Sequence, residues 1–254
     1  MINRIRDKLR PGLRLIEPFT GSGAVFLNTD YERYLLADTN PDLINLYKQL
    51  VEEGQPFINY CHTLFIKGNS KAQYYRSREQ FNRAGDIRRK SALFLYLNRH
   101  CYNGLVRYNS RGEFNTPFGL YKKPYFPELE MQKFLQCAKR AEFVHADFQH
   151  CMKTAVAGDV IYCDPPYVPL TRTACFTDYH TGGFGWDDQL QLIQLAKCLT
   201  DKGVQIVISN HDTAPIRKLY REAGASITRF EVRRTISANT GNRGKVGELL
   251  AVFN

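Results

Sequence analysis

Short apolar runs that stop at a charge or a turn residue recur toward both ends of this 254-residue chain. LRLIEPF (13–19) and RYLLAD (33–38) have the length and apolar density of buried strands, as do EFVHAD (142–147), GDVIYCD (158–164) and VQIVIS (204–209). Between them the period changes. TGSGAVFLN (20–28) reads as a tight Gly turn feeding a helix. NPDLINLYKQLVEE (40–53) is a helix with Asn40 as cap and Pro41 at the first helical position, and WDDQLQLIQLAKCLTDK (186–202) is another. Strands alternating with helices predict an α/β fold with a doubly wound, mostly parallel sheet. SITRFEVRRTIS and, across a Gly-rich loop, GELLAVF predict a closing antiparallel pair. There is no internal repeat.

Composition narrows the class. With 43% hydrophobic and 24% charged residues the chain reads as an ordinary globular protein, and no apolar run is long enough to span a bilayer. The start, MINRIRDKLR, lacks the apolar stretch of a secretory signal. Seven cysteines (61, 101, 137, 151, 163, 175 and 198) form no CxxC pair and are odd in number. That argues against a zinc cluster or a disulfide framework, and for reduced thiols in a cytoplasmic protein with no metal.

The net charge of +10 changes the picture once it is located. Residues 67–140 hold 16 Lys or Arg against 5 Asp or Glu, whereas 1–66 hold 7 against 8 and 141–254 hold 12 against 12. The whole excess sits in the middle third, which points to a polyanion partner. A solvated basic face without a partner is the plainer alternative.

In open α/β sheets ligands lie at the carboxyl ends of the strands. The first strand ends in Glu17-Pro18-Phe19-Thr20-Gly21-Ser22-Gly23, where two glycines let the backbone approach a bound molecule, without the GxGxxG spacing of a pyrophosphate grip. The second ends in Asp38, an acid placed to hydrogen-bond a ribose hydroxyl pair; its alternative role is helix capping ahead of Pro41. A cofactor with a ribose but no need of a phosphate cradle fits S-adenosylmethionine better than a dinucleotide. The fourth strand ends in Asp164-Pro165-Pro166-Tyr167. Asp164 and the Pro165 carbonyl make a cluster of acceptors that can hold both hydrogens of an exocyclic amine. Holding them steers the amine's delocalised lone pair toward an electrophile, while Tyr167 offers a face for the base.

Asp-Pro-Pro-Tyr is the hallmark of amino-methyltransferases, and Pro-Phe-x-Gly-x-Gly is their cofactor turn. With YLNRHCYNGLVRYNSRGEFNTPFGLYKKPYFP (96–127) and ISNHDT (208–213), essentially residues 5–253 resemble the Dam-type DNA adenine methyltransferases, which methylate adenine N6 in GATC. The resemblance implies a Rossmann-like S-adenosylmethionine-dependent catalytic domain, 1–52 with 138–254, and an inserted helical and β-hairpin DNA-recognition domain, 53–137. It implies a helix over DIRRKSALFLYLNRH and a hairpin over LVRYNSRGEFNTPFG that turns near Arg111-Gly112. Leu105, Arg107 and Pro117 are implied as base readers and Tyr102 as an intercalating aromatic. Arg78, Arg99, Asn103, Asn109, Asn115, Tyr121 and Lys122 are implied as backbone or neighbouring-base contacts, with Tyr108 and Phe114 in the hairpin core. The cofactor set is Glu17, Phe19, Gly21, Gly23, Asp38, Asp147, Phe148 and Asp164; the alternative for Asp147-Phe148 is an ordinary strand-end turn. The catalytic set is Asp164, Pro165, Pro166 and Tyr167. The partner is double-stranded DNA and the protein is expected to be a monomer, with the adenine flipped out of the stack.

Two departures from the family pattern stand out. The family carries a Lys-Trp-Ala-Gly-Gly-Lys-like segment upstream of its first strand, and this chain, beginning at Met1, aligns after it. Leu120 stands where relatives carry an arginine. Two alternatives to an active DNA enzyme follow: a DNA-binding remnant impaired by the missing segment, and an amino-methyltransferase acting on RNA or protein.

Overall fold

A computed structural model describes residues 1–66, 68–167, 184–233 and 245–254. The Gly-rich stretch between the last two strands and Cys175 lie outside the described residues. The chain divides into two compact units, Met1–Thr39 with Arg140–Asn254, and Asn40–Lys139.

The first unit opens with a short helix α1 (Ile2–Arg6), strand β1 (Arg14–Glu17) and strand β2 (Arg33–Asp38). The second unit follows with α2 (Pro41–Glu53), α3 (Gln55–Ile66), α4 (Lys71–Arg83), α5 (Ile87–His100) and α6 (Glu128–Ala138). The first then resumes with β3 (Ala141–His145), α7 (Phe148–Met152), β4 (Val160–Cys163), α8 (Trp186–Thr200), β5 (Gln205–His211), α9 (Ala214–Glu222), β6 (Ser226–Arg233) and β7 (Lys245–Phe253).

The seven strands form one sheet in the order β3-β2-β1-β4-β5-β7-β6, parallel except where β7 pairs with β5 and β6. The central strands are apolar on both faces: Leu15, Ile16, Ile161, Cys163, Ile206 and Ile208 are fully buried, as a sheet covered by helices on each side requires. Burying each such Leu or Ile contributes roughly 1.5–3 kcal/mol. β2 pairs with β3 from Tyr34↔Ala141 to Asp38↔His145, so the second unit is the crossover between two neighbouring parallel strands.

One expectation is corrected. Residues 20–28 hold only a 3-10 turn at Phe26–Asn28 instead of a helix. Gly21 and Gly23 take positive φ (47° and 68°), and the Asn28 and Thr29 side chains donate to the carbonyls of Ala24 and Val25, competing with helix propagation. The helix expected with the sheet, α2, groups with the second unit, because its buried Ile44, Leu46, Tyr47 and Leu50 pack among α3, α5 and α6; Tyr47 stacks on Phe134 at 4.8 Å. Its start is as expected, with Asn40 accepting from the N–H groups of Asp42 and Leu43.

Candidate active site

The carboxyl ends of β1, β2, β3 and β4 carry the predicted cofactor and catalytic residues of the first unit. After Glu17 the backbone folds over: Thr20 Oγ1 donates to the Glu17 carbonyl at 2.9 Å, and the Thr20 N–H donates to the Ala37 carbonyl at 2.9 Å. The Gly21 N–H donates to Asp38 Oδ2 at 3.0 Å. The glycine turn and the acid at the next strand end are thus tied to each other. The positive φ of Gly21 aims that N–H without the steric cost a side chain would bring.

Glu17 is only 2% exposed, and burial lifts its carboxyl to about 8, opposed by a bond from the Phe26 backbone and reinforced by the nearby Asp164. Its Oε1 has no hydrogen-bond partner among the described residues. A buried acceptor left open is costly, and one at a strand end beside the glycine turn is a place for a donor or a cation from a ligand. Phe19 stacks on Phe148 at 5.6 Å, and Phe184 packs against both, giving the site an aromatic wall. Asp147 accepts from the His150 N–H at 2.7 Å and caps α7, so the strand-end turn raised as its alternative role is present.

At the end of β4, Asp164 is exposed while Pro165 is buried. Ser209 of β5 donates to Asp164 Oδ1 at 2.7 Å. Because Ser209 commits its one proton there, the Tyr162 hydroxyl, 3.0 Å from Ser209 Oγ, is the donor to the serine. The surrounding protein raises the Asp164 carboxyl above its ordinary range and the Ser209 bond lowers it. Tyr167 stacks on His211 at 3.8 Å with rings 28° apart, so one face of the ring expected to carry the base already has a neighbour. Ser209, Tyr162 and His211 were not singled out in the sequence. For Ser209 and His211 the signal was the ISNHDT run, whose strand alternation puts positions 209 and 211 on one face.

The second unit carries the predicted DNA contacts. The hairpin is present but thin, with single bridges Cys101↔Phe118 and Tyr108↔Phe114 and a turn at Asn109–Gly112 closed by Asn109 N–H→Glu113 O and Gly112 N–H→Asn109 O. As expected, Phe114 is core, 1% exposed, and Tyr108 packs edge-on to it while its hydroxyl donates to Asp42 at 2.8 Å. Tyr102 (45% exposed), Leu105 (48%) and Leu120 (94%) stand in solvent with Arg107, Pro117, Tyr121 and Lys122. Exposed apolar side chains interleaved with cations suit a groove and its phosphates.

Several of these residues are engaged within the unit. Asn109 accepts from the N–H groups of Arg111 and Glu113 and donates to the Glu113 carboxylate, so its amide holds the turn. Arg78 reaches the carbonyls of Asn115 and Thr116 and lies over Tyr75 at 4.6 Å, buttressing the hairpin from α4. Arg107 Nε donates to Asn115 Oδ1 at 2.7 Å, which orients the guanidinium while Nη1 makes no hydrogen bond among the described residues. Asn103 sits at φ 53°, the one non-glycine residue with positive φ among those described, beside Tyr102. Arg99 lies 6.0 Å from the Tyr125 ring, with Nε buried and lacking a partner among the described residues.

No described helix is long and apolar enough to cross a membrane, and no cluster of metal-ligating side chains occurs among the described residues. The family model of the D12 class N6 adenine-specific DNA methyltransferases matches residues 1–236. The chain is 50% identical over 255 residues to the DNA adenine methylase of Serratia marcescens, covering 100% of this chain and 94% of that protein. It is 48% identical to the DNA adenine methylase of Vibrio cholerae serotype O1 and 46% identical to that of Escherichia coli K12, again over 100% of this chain and over 91% of each relative. These matches favour the DNA enzyme over the binding remnant and over an enzyme of RNA or protein. With its acceptor cluster at the end of β4 and its glycine turn at the end of β1, the chain belongs to the D12 class of N6 adenine-specific DNA methyltransferases.

Proposed function

We propose that the protein transfers the methyl group of S-adenosylmethionine to N6 of an adenine flipped out of a GATC site, acting as a cytoplasmic monomer on double-stranded DNA. The observation that carries this reading is the Asp164 carboxylate at the end of β4, held by Ser209 through Oδ1 and making no other hydrogen bond among the described residues. Oδ2 and the Pro165 carbonyl accept the two N–H bonds of the amine, which directs its lone pair out of conjugation with the ring. Tyr167, backed by His211, supports the base.

The first unit fits the cofactor. Gly21 and Gly23 allow close approach of the backbone, Asp38 is positioned for ribose hydroxyls, and Phe19 and Phe148 form an apolar wall. The open Glu17 Oε1 would take a positively charged group, which would also bring its carboxyl back to the ionised form. When bound, S-adenosylmethionine supplies an electrophilic methyl carbon. The hairpin, with Tyr102, Leu105, Arg107 and Pro117 outward, is the reader of the duplex, and Asn103, Asn115, Tyr121, Lys122, Arg78 and Arg99 support backbone contacts.

Labelled methyl should enter a GATC duplex and not the same duplex with its adenines already methylated; equal labelling of both would remove adenine as the acceptor. Arg107→Ala should relax discrimination at one base pair by ~1–3 kcal/mol, measured as the ratio of kcat/KM on cognate and single-substituted duplexes. A uniform loss on all duplexes would make Arg107 a phosphate contact.

A further inference from the structure

Ser209 follows Ile208, the residue of β5 registered against Cys163 at the end of β4. Alternation along β5 puts Ser209 and His211 on one face, beside the segment that carries Asp164 to Tyr167. Ser209 meets Asp164 at 2.7 Å and His211 meets Tyr167 at 3.8 Å between ring centroids. One strand therefore grips both ends of the Asp-Pro-Pro-Tyr segment.

Ser209 is itself fixed. It is 1% exposed, and its Oγ receives the hydroxyl of Tyr162, a residue 4% exposed on β4. The other acceptor in reach, the Cys163 carbonyl, lies at 3.4 Å, so the short bond to Oδ1 is the preferred direction for the serine proton. An Asp side chain turns freely about Cα–Cβ and, more softly, about Cβ–Cγ. A donor locked on one oxygen removes that freedom and determines where the other oxygen points.

We propose that Ser209 is a positioning residue for methyl transfer: its hydroxyl, backed by Tyr162, locks the Asp164 side chain so that Oδ2 is presented to the amine. The inference rests on the role given to Asp164 in the preceding section. Serine exchanges no proton with the substrate; it stays a donor to Oδ1 throughout, so its removal acts on the geometry and on the charge of Asp164. Among the described residues, the ionisable groups around that carboxylate are Glu17 from β1, Tyr162 and Cys163 from β4, Tyr167 beyond it and His211 from β5. The Ser209 bond lowers the Asp164 carboxyl. Without it, the group protonates at higher pH, and the acidic limb of the rate profile moves upward.

The test compares the full chain with Ser209→Ala, Ser209→Thr, Tyr162→Phe, the Ser209→Ala/Tyr162→Phe double variant and Asp164→Ala. The readouts are kcat across pH, the dissociation constants of S-adenosylmethionine and duplex DNA, and Tm. Ser209→Ala should lower kcat by about ten- to a hundredfold, with both dissociation constants and Tm near those of the parent and the acidic limb displaced upward. Ser209→Thr, which keeps the hydroxyl, should recover most of the rate. Tyr162→Phe should lower kcat less, and its effect should vanish in the Ser209→Ala background, because the two act through one bond. An unchanged kcat in Ser209→Ala, an unmoved pH limb, or additive effects of the two variants would overturn the positioning role. If Asp164→Ala itself still transferred methyl groups, the assignment of Asp164 would fail instead, and the two failures are told apart in the same experiment.

Discussion

Asp164→Ala should reduce methyl transfer by about a thousandfold or more while duplex DNA affinity stays within about twofold. The asymmetry follows from what the side chain touches. Among the described residues its carboxylate bonds to Ser209 alone, and it belongs to the sheet unit, whereas the excess of basic residues belongs to Asn40–Lys139. Removing it leaves an adenine amine conjugated with its ring and therefore a poor nucleophile. Asp164→Asn is the sharper variant. It preserves the shape but turns an amide NH₂ or a weaker carbonyl toward the amine, so it should also lose most of the rate. Single-turnover transfer and duplex titration check both variants; parallel loss of rate and DNA affinity would count against a purely catalytic role.

The second large effect is expected at Gly119. A Cβ there would lie 2.7 Å from the Cys101 carbonyl oxygen and 2.9 Å from its carbon, both backbone, and 2.7 Å from the Tyr121 ring. The tyrosine can swing away, but the backbone cannot do so cheaply. Cys101 caps α5, the Gly119 N–H donates to the His100 carbonyl at 2.8 Å, and His100 is buried against Tyr96 with ring centroids 3.8 Å apart. Gly119→Ala should therefore cost the helical unit ~1–3 kcal/mol and loosen the root of the hairpin, including the Tyr102 N–H→Pro117 O bond. DNA affinity should fall at least about tenfold, with S-adenosylmethionine binding kept. Urea unfolding and the two binding titrations decide it; a variant with parental stability and DNA affinity would show that Cys101 can yield.

The five parallel strands were legible because their apolar runs are short and dense and four of them run into Asp or Glu, and the Asn40 cap marks its helix correctly. The 20–28 segment misleads because helix-compatible Ala24, Phe26 and Leu27 are outweighed by side chains at Asn28 and Thr29 that bond back to the chain, a competition invisible to periodicity. The placement of α2 depends on partners in α5 and α6 far along the chain, as does the Tyr108–Asp42 bond. Asp164 is readable from its own neighbours in sequence, whereas Ser209 becomes visible only through the β4–β5 register. Asn109 illustrates the opposite limit: an asparagine in a basic hairpin suggests a DNA contact, and the turn uses both ends of its amide.

The β2–β3 ladder has a consequence for how the protein is built. Its partners, Tyr34 to Asp38 and Ala141 to His145, are separated by about a hundred residues, all of which must be looped before the first of these bonds forms. The intervening unit is contiguous in sequence and carries its own core, so it can condense first and shorten that search. β3, at the edge of the sheet, is then the strand whose docking waits on the helical unit, and a slow step in refolding is expected to track the integrity of Asn40–Lys139 rather than that of the central strands.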